Sequence, residues 1–246
     1  MPSKNYSAAD SVNIRKRKVR ICGMVCMLIL FIPKQHNAQP FVGEEMLQRL
    51  SRQYSIEARK RGEVLNNLLE QLADKQVKQQ LVEVNRFFNQ FTYKDDMALW
   101  GEEDYWATPE EFIGKNSGDC EDYVVTKYFI LRSLGVPDER LYLTYVKAVR
   151  ENRAHMVLSY FETPESTPLI LDNYNPRILP ADKRRDLLPV YSFNAKSLFL
   201  TNASAGMGRS LPADKIKNNK WQKLLNNINR SKPVSYTHLR AHETND

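Results

Sequence analysis

The sequence predicts an α+β fold, with helices in the first half of the chain and antiparallel strands in the second. Apolar residues recur every three or four positions between residues 43 and 91, which is the period of an amphipathic helix. After residue 140 the period falls to two, and β-branched and aromatic residues become frequent. The connectors between these later segments are short and polar, so consecutive antiparallel pairing is expected.

The helical half contains three apolar stripes, which predict two or three helices that supply half of the core. Gly62 and the pair Ala73-Asp74 are the expected breaks between these helices. The stripes consist of Met46, Leu47, Leu50 and Tyr54; of Val64, Leu65, Leu68, Leu69 and Leu72; and of Val77, Leu81, Val84, Phe87, Phe88 and Phe91.

Two later helices are predicted from their end signals. Thr108 is a suitable N-cap and Pro109 suits a first turn, so a short helix is expected over residues 109–113. Asp119 is a good N-cap and Gly135 a good residue to follow a helix, which predicts a helix over residues 120–134. Strands are then predicted over residues 141–146, 155–161 and 168–173, and residues 188–193 offer a fourth.

The net charge of +7 is concentrated at the N-terminus of this 246-residue chain. Seven basic residues and one acid give residues 1–38 a charge of +6, which leaves +1 for the remainder and gives no reason to invoke nucleic acid. A basic run at residues 15–20 precedes an apolar stretch at residues 21–33 that is short for a membrane span. Residues 1–38 are therefore interpreted as a signal peptide, with an uncleaved N-terminal anchor as the alternative.

The remaining chain divides into a domain at residues 39–205 and a basic polar tail at residues 206–246. Six basic residues and one acid lie between residues 209 and 230, with apolar residues among them. This pattern predicts a solvated surface helix, with a basic amphipathic tail as the alternative. The last dozen residues resemble translated adapter sequence rather than native protein, so His238 and His242 are not interpreted as ligands.

Cys120 is the one cysteine outside the predicted export signal, so an intramolecular disulfide cannot explain it. It is either a small buried hydrophobe or a nucleophile. The first turn of a helix favours a thiolate, because the helix N-terminus carries partial positive charge and free N–H groups that could also hold an oxyanion. The acidic residues on both sides of Cys120 oppose this effect, because their charge raises the pKa of a thiol.

His155 and Asp172 are the candidate partners of this thiol. His155 is the one histidine between the predicted export signal and the doubtful tail, although a lone histidine is more often structural than catalytic. If residues 155–161 and 168–173 form a hairpin, its ends bring His155 and Asp172 together, and Asp172 could then orient the imidazole. The spacing is as compatible with structural roles as with a Cys–His–Asp triad.

The acids beside Cys120 offer hard oxygen ligands of the kind that Ca²⁺ prefers. These acids are Asp119, Glu121 and Asp122, and the preceding loop could add Asp95, Asp96 and Asp104. A cation here would cancel the negative field around the thiol. The residues alone favour the alternative, in which the same acids cap a helix and complement its dipole. Zinc is disfavoured because nitrogen and sulfur ligands are few.

Several motifs follow one another between residues 87 and 199. They are WATPEEF (106–112), GDCEDY (118–123), KYF (127–129), AHMVL (154–158), LDN (171–173) and RDLLPVYSFN (185–194). In this order they resemble the bacterial transglutaminase-like cysteine proteinases of the LapG type. The resemblance implies a papain- and transglutaminase-like fold, in which N-terminal helices and a catalytic helix pack on an antiparallel sheet.

The resemblance also implies roles for individual residues. Cys120 would be the nucleophile, His155 the base and Asp172 the residue that orients it. The acids next to Cys120 would take part in binding calcium, which points to Asp119, Glu121 and Asp122. Apart from the resemblance, helix N-terminal amides would stabilise the oxyanion. Trp106 is a candidate wall of the site, although a tryptophan near a candidate catalytic helix more often packs in the core.

The function that the resemblance implies is that of a calcium-dependent cysteine endopeptidase in the periplasm of a Gram-negative cell. Such proteases cut a large repeat adhesin near its N-terminus, at a small-residue site, and so release cells from biofilms. An inner-membrane receptor for cyclic di-GMP sequesters the protease when the nucleotide is abundant. Two alternatives are amide transfer of the transglutaminase type and a non-catalytic binding domain on the same scaffold.

Overall fold

The structure, a computed structural model, describes residues 41–195, 198–200 and 219–230. The predicted signal at residues 1–38, most of the predicted tail and the two doubtful histidines lie outside these residues. Over the described ranges, no helix combines the length and hydropathy that a membrane crossing requires.

Helices dominate the first half of the described chain and strands the second, which confirms the α+β prediction. The helices are α1 (Glu44–Gln53), α2 (Ile56–Leu72), α3 (Val77–Phe88), α4 (Asp96–Trp100), α5 (Pro109–Lys115), α6 (Cys120–Ser133) and α7 (Asn219–Arg230). The strands are β1 (Thr92–Tyr93), β2 (Ser117–Gly118), β3 (Leu141–Ala148), β4 (Arg153–Tyr160), β5 (Leu169–Leu171), β6 (Leu179–Pro180), β7 (Leu187–Phe193) and β8 (Leu198–Leu200).

A six-stranded antiparallel sheet has the order β6-β5-β4-β3-β7-β8. The expected consecutive pairing of β3, β4 and β5 is confirmed. Strand β7 pairs with β3, although three strands separate them in the chain. A separate parallel pair, β1 and β2, joins the segment after α3 to the segment that precedes α6.

Helix α6 packs on both the sheet and other helices of the described chain. It contacts β3 and β4 of the sheet, and it also contacts α3 and α5. Apolar residues are buried on all sides of α6 as a result, and even Thr126 and Lys127 are buried. Its N-terminus is fixed by the Asp119 cap that the sequence predicts, and Gly135 follows its C-terminus with a positive φ of 88°.

The predicted break at Gly62 is wrong, because Gly62 lies inside α2. A Cβ atom at this position would lie 2.7 Å from Leu47 Cδ2 and 2.9 Å from Leu50 Cδ1, both of which belong to α1. The glycine therefore allows the two helices to approach each other closely. The predicted break at Ala73-Asp74 is confirmed, since α2 ends at Leu72.

Helix α7 differs from the solvated surface helix that the sequence predicts. Trp221, Leu224 and Ile228 are buried in the main core. The Trp221 ring stacks on Phe129 of α6, with the ring centroids 5.9 Å apart and the planes within 8°, and meets Phe193 of β7 edge to face. The charge count of this segment could not reveal an apolar stripe on only one face of the helix.

Replacing Trp221 with alanine should lower the free energy of unfolding by about 3–5 kcal/mol, the range found for large aromatic truncations in cores. Urea denaturation followed by circular dichroism measures the change. Asn226→Ala, on the exposed face of α7, is the matched control and should change stability by less than about 0.5 kcal/mol. Equal stability of the two variants would contradict the docking of α7 on the core.

Candidate active site

Cys120 is the first residue of α6, and its backbone is held by a capping box. The Asp119 carboxylate accepts a hydrogen bond from the Glu121 amide at 3.1 Å, and the Asp122 carboxylate accepts one from the Asp119 amide at 3.3 Å. The thiol is free of any disulfide and is 5% exposed. The residue thus combines the burial of a core side chain with the helix N-terminal position that a nucleophile would use.

The surroundings of the thiol disfavour its ionisation. Burial raises the pKa of Cys120, and the negative charges of Glu121 and Asp119 raise it further. The thiol donates a hydrogen bond to Glu121 Oε2 at 2.7 Å, which also favours the protonated form. A hydrogen bond with the Met156 backbone acts in the opposite direction and places the sulfur against β4, the strand in which Met156 directly follows His155.

His155 and Asp172 lie in direct contact. His155 Nε2 and Asp172 Oδ1 are 2.8 Å apart, and both side chains are fully buried. The Tyr174 ring stacks on the imidazole, with the centroids 4.0 Å apart and the planes within 10°. His155 Nδ1 is buried and has no hydrogen-bond partner within the described part of the chain. One imidazole nitrogen is therefore held by a carboxylate and the other is left for a reacting group.

Asp172 is held in its ionised form. Burial raises the pKa of this carboxyl, but hydrogen bonds from His155, Arg184 and the Tyr174 amide outweigh burial and lower the pKa below its usual value. The Tyr174 amide donates to Asp172 Oδ1 at 2.9 Å, and Asn89 Nδ2 donates to the Asp172 carbonyl at 2.8 Å. The backbone and the side chain of Asp172 are thus both fixed.

Behind Asp172 lies Lys127, which the sequence did not single out as a site residue. Its Nζ donates to Asn85 Oδ1 at 2.8 Å and to Asn89 Oδ1 at 2.6 Å. Complete burial lowers the pKa of Lys127 to about 7, although the charge of Asp172 acts against this. Asn89 therefore links a buried lysine to the backbone of Asp172. A lysine within the mainly apolar sequence of α6 was the available signal for this network.

Three buried or half-buried carboxyl groups converge beside the first turn of α6. Oxygen atoms of Asp96, Asp119 and Asp122 lie within 4.8 Å of one another. Burial and the neighbouring acids raise the pKa of Asp96 to about 6 and that of Asp119 to about 9. Asp96 Oδ1 is buried without a hydrogen-bond partner among the described residues. Mutually repelling carboxylates with an unsatisfied oxygen fit a hard cation such as Ca²⁺.

The other acids considered from the sequence are placed differently. Glu121 groups with Asp119 and Cys120, and its carboxylate faces the thiol. Asp95 accepts a hydrogen bond from the Tyr93 hydroxyl at 3.1 Å, and Asp104 forms an ion pair with Lys220. The cluster thus combines Asp119 and Asp122 of the predicted set with Asp96, the first residue of α4, while Glu121 contacts the thiol.

Trp106, the proposed wall of the site, is 5% exposed and packs against Phe193, with the ring centroids 6.2 Å apart. Its Nε1 is buried and has no hydrogen-bond partner within the described ranges. The next residue, Ala107, donates its amide to Asp122 Oδ1 at 2.8 Å, which ties this segment to the acidic cluster. Trp106 therefore packs in the core and also carries an unused indole donor.

Comparisons with known proteins find a matching family profile and similar solved structures. The sequence profile described as bacterial transglutaminase-like cysteine proteinase (BTLCP) matches residues 52–186. The calcium-bound structure of Legionella pneumophila LapG is 44% identical, with a TM-score of 0.64 over 75% of this chain and 98% of that one. The EGTA-treated structure of LapG is also 44% identical, with a TM-score of 0.63 over 76% of this chain and 97% of that one. A search of curated proteins finds no significant match.

The profile spans more than half of the chain, from α1 through the segment that follows Asp172, and the LapG structures share the arrangement of helices and antiparallel sheet. The transglutaminase-like fold expected from the motifs is thereby confirmed. The chain belongs to the bacterial transglutaminase-like cysteine proteinases.

Proposed function

We propose that this protein is a calcium-dependent cysteine endopeptidase of the periplasm, which cleaves the N-terminal region of a large repeat adhesin. The observation that carries the proposal is the buried hydrogen bond between His155 and Asp172, which leaves the second imidazole nitrogen without a partner among the described residues. The Cys120 thiol is hydrogen-bonded to the backbone of Met156, the next residue along β4. A nucleophile, a base and an orienting acid are the three groups that acyl transfer by a thiol requires.

In the proposed mechanism, His155 Nδ1 accepts the thiol proton, and the Cys120 sulfur attacks the carbonyl carbon of the scissile peptide bond. The carbon–nitrogen bond then breaks, and the imidazolium returns its proton to the leaving amine. His155 next removes a proton from a water molecule, which attacks the acyl-enzyme and releases the carboxylate product and the thiol. Asp172 stabilises the imidazolium at each stage.

The oxyanion would be held by donors that the site already contains. The first turn of a helix carries backbone N–H groups without intrahelical partners, so the Cys120 amide is a candidate donor, whereas the Glu121 amide is already bonded to the Asp119 cap. The indole Nε1 of Trp106 is a second candidate donor, because it is buried without a partner in the described part of the chain.

Asp96, Asp119 and Asp122 would hold the calcium ion. When bound, the ion supplies positive charge that offsets the acids next to Cys120. The fit rests on the buried, unsatisfied Asp96 Oδ1 and on the raised pKa values of Asp96 and Asp119, because such carboxyl groups need a compensating cation to be ionised together. Calcium-bound and EGTA-treated forms of the 44% identical LapG support the choice of metal.

The biological setting follows from the family resemblance. In this proposal, cleavage of the adhesin releases cells from a biofilm, and an inner-membrane receptor for cyclic di-GMP sequesters the protease while the nucleotide is abundant. A predicted export signal at residues 1–38 is consistent with action outside the cytoplasm.

The direct test is incubation of the purified protein with the N-terminal fragment of a large repeat adhesin in the presence of Ca²⁺. We expect cleavage at one peptide bond within a sequence of small residues, which yields two products. Mass spectrometry of the products locates that bond. A primary amine added to the reaction distinguishes hydrolysis from amide transfer, because transfer would add the mass of the amine to one product. An adhesin fragment that stays intact at every Ca²⁺ concentration would contradict the proposal.

A further inference from the structure

Arg184 is a buried arginine whose side chain reaches Asp172 of the proposed triad. Its Nη2 donates to Asp172 Oδ2 at 2.6 Å, and the two residues are 2% and 0% exposed. It belongs to the basic run Lys183-Arg184-Arg185, of which Lys183 and Arg185 are exposed. In the sequence this run resembles an exposed cluster of basic residues, and nothing in it indicates that Arg184 is buried.

The guanidinium of Arg184 is itself fixed by a second carboxylate. Asp186 accepts hydrogen bonds from Arg184 Nε at 3.0 Å and from Arg184 Nη2 at 2.7 Å. The Asp186 carbonyl accepts a hydrogen bond from the Val149 amide at 2.8 Å, so this segment is anchored to the end of β3. The planar guanidinium is hydrogen-bonded to both Asp172 and Asp186, so it cannot rotate away from Asp172 without breaking several charge-assisted hydrogen bonds.

Each oxygen of the Asp172 side chain therefore has its own partner. Oδ1 faces His155 Nε2 and the Tyr174 amide, while Oδ2 faces Arg184. Without Arg184, the carboxylate could rotate about its χ2 bond, and Oδ2 would become a buried acceptor without a donor. The imidazole would then lose the fixed contact that determines which of its nitrogens carries the proton.

We propose that Arg184 is a positioning residue of the active site, which fixes the Asp172 carboxylate and, through it, the orientation and tautomer of His155. The inference rests on the proposed function, because it assigns a role in that same reaction. Arg184 touches no reacting atom, so its effect should fall on the chemical step rather than on substrate binding.

A neighbouring cavity makes the proposal testable by chemical rescue. Arg184 lines a small, partly open cavity of about 30 Å³ on the sheet, together with Thr144, Ser159 and Ile170. Truncation of Arg184 to alanine would enlarge this space and leave the Asp172 and Asp186 carboxylates facing it. A guanidinium ion could enter and replace the lost group, whereas urea has the same shape without the charge.

The experiment compares Arg184→Ala, Arg184→Lys and Arg185→Ala in cleavage of the adhesin fragment at saturating Ca²⁺. Arg184→Ala should lower kcat by about 10²-fold, the cost of a small misplacement of catalytic groups, with KM within about threefold of wild type. Added guanidinium chloride at low millimolar concentration should recover at least about tenfold of the loss, and urea should recover none. The exposed neighbour in Arg185→Ala should leave kcat unchanged.

Arg184→Lys keeps the charge but not the fork, and should lie between wild type and the alanine variant. It also provides the measurement if Arg184→Ala does not fold.

Alkylation of Cys120 by iodoacetamide, measured in the same variants, needs no peptide substrate and should slow in parallel with kcat. Wild-type kcat and wild-type alkylation in Arg184→Lys and Arg184→Ala would overturn the proposal, as would recovery by urea equal to that by guanidinium. A wild-type protein that cleaves no adhesin, but in which alkylation still depends on Arg184, would refute the proposed function alone.

Discussion

Replacing Cys120 with alanine should abolish cleavage of the adhesin fragment, with kcat lowered by at least about 10⁴-fold. The sulfur forms the covalent bond of the acyl-enzyme, and no other cysteine occurs in the described residues to take its place. What remains would be the small acceleration that bound donors give to attack by water.

The Cys120→Ala protein should remain folded, because the change removes one buried atom and leaves the capping box of α6 intact. Its thermal midpoint and its Ca²⁺ binding are therefore the controls, and both should stay close to wild type. Cleavage at the wild-type rate by a folded Cys120→Ala protein would remove Cys120 from the mechanism, and with it the assignment of His155 as its base.

Removal of calcium should have the second largest effect. At a Ca²⁺ concentration of 100 times the dissociation constant, binding should stabilise the fold by about 2.7 kcal/mol, which corresponds to a rise of roughly 5–10 °C in Tm for a domain of this size. Treatment with EGTA should reverse this rise and stop cleavage. Thermal melts with and without the chelator measure the stabilisation by bound Ca²⁺ separately from the cleavage activity.

Asp96→Asn is the sharpest variant for this site. The amide oxygen can still accept the hydrogen bond that the Tyr105 amide now gives to Asp96 Oδ2 at 2.6 Å, while the unsatisfied Oδ1 is replaced by an NH₂ group that cannot bind a cation. The Ca²⁺-induced rise in Tm should be largely lost. Asp95→Asn is the matched control, since Asp95 is the exposed neighbour outside the cluster. Equal Ca²⁺ responses of the two variants would contradict the assignment of Asp96.

The sequence was informative where contacts are local. The Asp119 cap, the start of α6 at Cys120 and the hairpin of β4 and β5 all follow from neighbouring residues, and the structure has each of them. The hairpin was the step that linked His155 to Asp172, and these two side chains do meet. Local signals therefore sufficed to bring the imidazole and the carboxylate together.

Long-range contacts could not be predicted in the same way. Arg184 reaches Asp172 from beyond β6, twelve residues later in the chain, and Asp96 joins Asp119 and Asp122 from a different helix. Gly62 looked like a helix break because its conformational freedom is visible in sequence, whereas its closeness to Leu47 is not. In each case the contacting residue is distant in the chain, and the periodicity of the sequence does not predict the contact.

The packing of β7 and α7 determines where the protein can be truncated. The family profile ends at residue 186, immediately before β7, which pairs with β3 in the interior of the sheet. A fragment cut at that point would open β3 as an unpaired edge, and it would strip Trp221 from the Phe129 ring of α6. Exposed strand edges and aromatic surfaces promote aggregation. The smallest soluble fragment should therefore extend through residue 230, far beyond the limits by which the family is recognised.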